Sequence, residues 1–183
     1  FVRLAMSKYR THNCGELRKS DIGKIVKLSG WVHKKRNLGS LMFIDLRDRT
    51  GIVQLAFDDN TDRTIFDKAF KTRTEYVVVA KGVVRQRSSV NNQIPTGEIE
   101  IAVDYYKVLS AAQTTPFEIS DSVNVKDELS LKYRYLDLRR PSLTNNMLMR
   151  HEIAKAARDY YYSNGFVEIE TPIEKTKAPM VQV

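Results

Sequence analysis

In the segment from Lys24 to Leu109, apolar residues alternate in four separate stretches and run together in a fifth, valine-dense one, and one helical stretch follows the third. Successive side chains on a strand point to opposite faces, so each stretch can bury one face and wet the other. Residues 24–35 put Val26, Leu28, Gly30 and Val32 on one face, with Lys27, Ser29, Trp31, His33 and Lys35 on the other. Asn37-Leu38-Gly39-Ser40 reads as a turn. Residues 41–48 then point Met42, Ile44 and Leu46 to the core, and residues 52–57 keep Val53, Leu55 and Phe57 in phase. Residues 60–72 read as a helix capped by Asn60 or Thr61, with Ile65, Phe66, Ala69 and Phe70 as its apolar stripe. A valine-dense strand at 76–85, a polar loop and a last strand at 97–109 complete the set, the last alternating Ile99, Ile101 and Val103 against Glu98, Glu100 and Ala102. Three strands, a helix and two strands are the element order of an oligonucleotide-binding (OB-fold) β-barrel, although other small barrels share such patterns.

The rhythm then changes. Residues 111–128 contain Pro116, several Ser and Thr and no clean period, and read as a hinge. Residues 129–139 read as one short helix. A longer helix starts at Ser142 or Thr144 and runs to about Asn164, with Met147, Leu148, His151, Ile153, Ala154, Ala157 and Tyr161 near helical spacing. Gly165 suits its C-terminal cap. Residues 166–170 read as a short strand stopped by Thr171-Pro172. The expected division is a barrel at 9–110, a hinge at 111–128, and the first part of an α+β domain at 129–183.

Composition narrows the partners. The net charge of +8 and a pI near 9.5 favour a polyanion, or else describe a well-solvated basic surface. Cys14 is the only cysteine, which excludes an intramolecular disulfide and fits a reducing, cytoplasmic setting; it reads as a small buried hydrophobe. His12, His33 and His151 show no metal-ligand spacing. No apolar run is long enough to span a bilayer and no signal peptide is evident, with Met6 a candidate start.

Several residues can carry recognition chemistry. Phe43 shares a strand face with Asp45 and Arg47, opposite Met42, Ile44 and Leu46. An aromatic on a polar barrel face can stack an unpaired base, or can pack under a loop or helix. Lys34-Lys35-Arg36 can track a phosphate backbone or form a solvated turn. The amide of Gln54 can read a base edge. Arg85, Arg87, Asn91, Glu98 and Glu100 flank the loop before the last strand, where they suit base contacts or an ordinary hairpin surface. Glu168 and Glu170 have no nucleophile or base clustered in sequence, and the chain has no Gly-rich phosphate loop or triad signature.

The chain resembles the N-terminal part of bacterial-type aspartyl-tRNA synthetases, a family of class II ligases. The matching words include Cys14-Gly15-Glu16-Leu17-Arg18, Gly30-Trp31-Val32, Arg36-Asn37-Leu38-Gly39-Ser40-Leu41, Phe43-Ile44-Asp45-Leu46-Arg47-Asp48-Arg49, Gly51-Ile52-Val53-Gln54, Thr96-Gly97-Glu98-Ile99-Glu100 and Tyr135-Leu136-Asp137-Leu138-Arg139-Arg140-Pro141. The resemblance implies a five-stranded anticodon-binding barrel that engages tRNA-Asp. Phe43 would stack on an anticodon base and Gln54 would contact the central uridine. Arg36, Arg85, Arg87, Asn91 and Glu100 would lie around the anticodon loop, with Lys34 and Lys35 on its phosphates. Gly165 to Ile173 resembles class II motif 1, in which Gly165, Phe166 and Pro172 would help form a homodimer interface. The whole enzyme would activate aspartate with ATP and Mg2+. Met180-Val181-Gln182-Val183 follows Pro179 where the family has Glu-Gly-Ala, so the chain is expected to be a fragment without the ATP and aspartate sites, binding no cofactor and inactive alone. The rival expectations are a free-standing single-strand RNA module and a related ligase for asparagine or lysine.

Overall fold

Alternating apolar side chains close the first part of the chain into a barrel. In the computed structural model, which describes residues 8–171, the strands are β1 (Ile25–Leu38), β2 (Leu41–Asp48), β3 (Gly51–Phe57), β4 (Val77–Gln86) and β5 (Ile99–Ser110), with helix α1 (Arg63–Lys71) between β3 and β4. They hydrogen-bond in the order β1-β2-β3-β5-β4, and β4 returns to β1. Only β3 and β5 run parallel. Closure leaves no unpaired sheet edge. Val26, Leu28, Val32, Met42, Ile44, Leu46, Val53, Leu55, Phe57 and Ile101 fill the interior without solvent exposure. These are the residues that the period of two assigns to the core, and each contributes about 1.5–3 kcal/mol by leaving water. Phe57 meets Tyr106 edge-on at 5.5 Å. The Tyr106 hydroxyl donates to Thr72 Oγ1 at 3.1 Å, and burial pushes its phenol up to about 12.

Strand β1 extends past residue 35 to Leu38, so only Gly39 and Ser40 turn into β2. Between Val32 and Lys34 its register with β2 shifts, leaving His33 as a bulge. Before the bulge Val32 lies opposite the core residue Leu46; after it, Lys35 lies opposite core Ile44, while Arg36 lies opposite Phe43. Lys35 therefore leaves the outer face on which simple alternation put it.

Helix α1 is capped by Asp62 rather than by Asn60 or Thr61. Its carboxylate accepts from the backbone N–H of Thr64 at 2.8 Å and of Ile65 at 3.4 Å. Ala69 is buried and Ile65 and Phe66 pack on the core, but Phe70 stays half exposed. A short 3-10 turn at Cys14–Glu16 is latched to the barrel by Asp48, whose carboxylate accepts from Cys14 N at 2.8 Å, Thr50 N at 2.8 Å and Thr50 Oγ1 at 2.6 Å. Burial, then the neighbouring Asp48, pushes the buried Cys14 thiol well up, so it behaves as an inert hydrophobe.

The chain divides into two compact units between Pro116 and Phe117. The second unit has a small core of Phe117, Ile119 and Leu136, with Val125, Leu129 and Tyr133 packed against it. Two of its three buried residues thus come from the segment that reads as a hinge. The single helix expected at 129–139 is two, α2 (Asp127–Lys132) and α3 (Arg134–Asp137), because Tyr133 between them sits at φ −113°, ψ 43°. Asp137, 2% exposed, accepts from Ser130 Oγ at 2.5 Å, Arg134 at 2.8 Å and Arg140 at 3.3 Å. The Ser130 hydrogen bond leads in holding its carboxyl below the usual range. Helix α4 (Pro141–Ser163) starts with proline at its first turn, and Asp121 receives the N–H and hydroxyl of Ser142 there. It ends in a Schellman motif: Gly165 at φ +83° donates to Tyr162 O, Phe166 donates to Tyr161 O, and the rings of Tyr161 and Phe166 meet at 5.7 Å. The strand expected at 166–170 does not form, since no partner strand lies beside it among the described residues. Pro172 lies outside the described residues.

The Asp48 latch yields a pH-dependent prediction. Burial alone would raise its carboxyl, but the hydrogen bonds from Thr50 and Cys14 outweigh that and lower it. Its stabilisation is therefore complete above the unfolded carboxylate value of about 4 and is lost as pH falls through the lower folded value. Asp48→Asn should cost about 1–3 kcal/mol at neutral pH in urea unfolding, and the gap should narrow below about pH 4. A gap that is constant with pH would refute the ionised latch.

Candidate nucleic-acid interface

Barrel closure lines up one outward residue from every strand. Lys34 pairs with Asp45, Asp45 with Gln54, Gln54 with Glu100, and Glu100 with Arg85, running from β1 through β2, β3 and β5 to β4. Every side chain in this row is polar or charged. The next row is Arg36, Phe43, Ala56, Ala102 and Val83. It sets a ring and a basic side chain beside two alanines. The His33 bulge is what brings Arg36 into that row.

Hydrogen bonds knit the polar row together. An Arg36 Nη donates to Asp45 Oδ1 at 3.0 Å and to Gln54 Oε1 at 2.8 Å. Gln54 Nε2 donates to Glu100 Oε2 at 2.8 Å. Arg85 donates through Nε to Glu100 Oε1 and through Nη1 to Asp58 Oδ2, both at 2.8 Å. A guanidinium can only donate and a carboxylate only accept, so these neighbours fix which end of the Gln54 amide is oxygen. Gln54 is 4% exposed and Glu100 6%. The Arg36 guanidinium lies 5.9 Å from the centre of the Phe43 ring. Burial raises the Asp58 carboxyl, but the Arg85 hydrogen bond and charge outweigh it and leave the group below the usual range. With Lys34, Arg36 and Arg85 facing Asp45, Asp58 and Glu100, the row is charge-balanced. It suits reading polar edges of a neutral base more than gripping phosphate.

The structure thus brings together Arg36, Phe43, Gln54, Arg85 and Glu100, with exposed Lys34 at the end of the row. Lys35 is elsewhere. Its ammonium donates to Phe70 O at 2.7 Å and Thr72 O at 2.8 Å, capping the C-terminus of α1, where burial and then Arg73 lower its pKa. Arg87 and Asn91 sit in the β4–β5 connection. Asn91 shapes that loop, accepting through Oδ1 from Gln93 N at 3.0 Å and donating its own N–H to Gly97 O at 3.0 Å. A Cβ on Gly97 would stand 1.7 Å from Asn91 O, so glycine is required there. Among the described residues neither Arg87 nor Asn91 is hydrogen-bonded to the polar row. Asp58, which holds Arg85, was missed by sequence reasoning. It lies just past the end of β3, where alternation no longer says which way a side chain points. Asp45 was seen only as a neighbour of Phe43, although its place opposite Gln54 follows from the strand register.

Gly165 and Phe166 form the end of α4 in the second unit, where Arg158 donates to Glu168 at 3.0 Å. Among the described residues no group of three or more His, Cys, Asp or Glu is placed to hold a metal, and no helix is long and apolar enough to cross a membrane.

Comparison with known proteins agrees with this fold. The OB-fold nucleic acid binding domain family matches residues 26–109, and the family of class II tRNA synthetases for D, K and N matches residues 126–180. An aspartate–tRNA ligase of Ruminiclostridium cellulolyticum is 54% identical over 90% of this chain, and an aspartate–tRNA(Asp/Asn) ligase of Caldanaerobacter subterraneus is 50% identical over the same share. The chain spans 28% of the length of each. The asparaginyl-tRNA synthetase of Pyrococcus horikoshii with asparaginyl-adenylate superposes with a TM-score of 0.74 at 30% identity, over 88% of this chain and 36% of that one. The aspartyl-tRNA synthetase of Entamoeba histolytica shares the fold, with a TM-score of 0.70 at 24% identity over 84% of this chain and 37% of that one. A closed five-stranded OB barrel, followed by the start of a class II synthetase domain and matched at about half identity over nine tenths of its length, makes this chain a homologue of the aspartate–tRNA ligases.

Proposed function

We propose that this chain is the anticodon-reading part of an aspartate–tRNA ligase, the enzyme that joins aspartate to tRNA-Asp. The observation that carries the reading is the buried Gln54 amide, held between Glu100 and Arg36, whose guanidinium also lies against the ring of Phe43. Each end of that amide has one bonding position left after these contacts: one N–H and one carbonyl lone pair. Uracil offers the complement, a carbonyl acceptor next to an N–H donor. Phe43 supplies the face on which an unstacked anticodon base rests, and Arg36, bonded to both Asp45 and Gln54, holds the amide toward the incoming base. Lys34, Arg87 and Asn91 lie at the margins, where the anticodon loop's phosphates and flanking bases would run.

The remaining chemistry belongs to the whole enzyme. On this reading ATP and aspartate are that enzyme's substrates and Mg2+ its cofactor. The start of the class II domain supports a homodimer, with Gly165 and Phe166 at the partner surface. Helix α4 buries none of its residues and exposes Met147, Met149, Ile153, Tyr160 and Tyr162. Such an enzyme works in the cytoplasm. A second reading has one observation in its favour: the Caldanaerobacter relative is named for both tRNA-Asp and tRNA-Asn. Those anticodons share their central uridine, so Gln54 would accept either.

Phe43→Ala should weaken binding of an anticodon stem-loop by roughly 1–3 kcal/mol, the loss typical of one base-stacking aromatic. Unchanged affinity with a folded barrel would move the reading face elsewhere. Gln54→Met should make binding indifferent to the central base and lower stability by about 1–3 kcal/mol, because Glu100 and Arg36 lose a buried partner. Retained preference for uridine in that variant would assign the reading to another residue.

A further inference from the structure

We propose that the β1–β4–β5 side of the barrel carries a second RNA site, a lysine–tyrosine cleft that grips the phosphodiester backbone without regard to sequence. The inference rests on the RNA-reading role above and concerns a different set of strand pairings. Lys27 of β1 lies directly opposite Lys81 of β4, and Lys81 lies directly opposite Tyr105 of β5. In the adjoining row Val79 faces Lys107. Together with Lys8 and Tyr9, these side chains line a cleft of about 350 Å³.

Like charges placed directly opposite on neighbouring strands repel, and a barrel gains nothing structural from the Lys27–Lys81 pair. Among the described residues one carboxylate answers the four lysines: Asp104, 3.7 Å from Lys81. The cleft therefore holds an excess of positive charge that an incoming polyanion would neutralise. Its two tyrosines are each 45% exposed, which leaves ring surface beside the cations. Cations interleaved with exposed rings are the arrangement that holds single-stranded or looped nucleic acid.

The reading face leaves a part for such a site. Its three cations, Lys34, Arg36 and Arg85, are equalled in number by Asp45, Asp58 and Glu100, so it offers little net charge to a phosphate backbone. The chain nonetheless carries a net charge of +8. Cations outside the reading row add to counterion release, the sequence-independent share of affinity, and this cleft concentrates four lysines.

The test replaces Lys27, Lys81 and Lys107 together by glutamine in the full 183-residue chain. Glutamine keeps most of the side-chain length, and the melting temperature checks the fold. Binding is titrated against two anticodon stem-loops, one with GUC and one with its central base changed, across about 50–300 mM salt. The expected result is a loss of about tenfold for both RNAs at about 100 mM salt, a slope of log K against log salt shallower by about 2, and an unchanged ratio between the two RNAs. Unaltered affinity and slope would overturn the proposal and leave the cleft to an acidic protein surface. A changed ratio would also overturn it, because the lysines would then act on base reading. If the parent chain binds both RNAs equally and the substitutions still flatten the slope, the anticodon reading fails while the cleft stands.

Discussion

At His33 strand β1 holds one residue more than its partner β2, and every side chain after that point changes face. The consequences run in two directions. Lys35 turns toward α1 and closes its C-terminus through two carbonyls. Arg36 turns outward, opposite Phe43, and reaches both Asp45 and Gln54. With regular pairing the two would trade places: the helix would lose its cap and the Gln54 carbonyl its guanidinium. One extra residue thus couples the packing of the helix to the assembly of the reading face.

The polar row shows how a small barrel presents a buried amide without strain. Leaving a nearly buried glutamine and glutamate unpaired would cost several kcal/mol, so each must be satisfied from within the protein. Five strands supply the partners because closure of the barrel lets each contribute one side chain to the same level. The network holds donors and acceptors at fixed orientation before any ligand arrives, which lowers the ordering cost of binding. On the proposed reading its charge balance would also separate two tasks, with base discrimination in the row itself and attraction to phosphate in lysines elsewhere on the surface.

Much of the barrel was legible because a period of two is a strong local signal. Val26, Leu28, Met42, Ile44, Leu46, Val53, Leu55 and Ile101 are buried as their alternation requires. Phe43 and Gln54 stood out because a ring and an amide interrupted polar or apolar faces. The bulge was not legible, since an added residue leaves local composition unchanged and shows only in cross-strand register. The role of Asp58 depends on a guanidinium 27 positions away in sequence, a pairing that only the closed barrel creates. Residues 111–128 read as a hinge because Phe117 and Ile119 are isolated apolar residues among polar ones, yet those two pack beside Leu136. The strand expected at 166–170 had the right composition but lacks the partner ladder that a strand requires.

The central claim is that the row built around Gln54 reads an anticodon base. Titrating the unmodified chain with a stem-loop bearing GUC and with one whose central uridine is replaced by cytidine tests it most directly, at a single salt concentration. The account predicts tighter binding to GUC by about tenfold or more, the discrimination expected from one well-made base contact. Equal affinity for the two RNAs would contradict it, and would reduce the barrel to a basic surface that holds RNA without reading it.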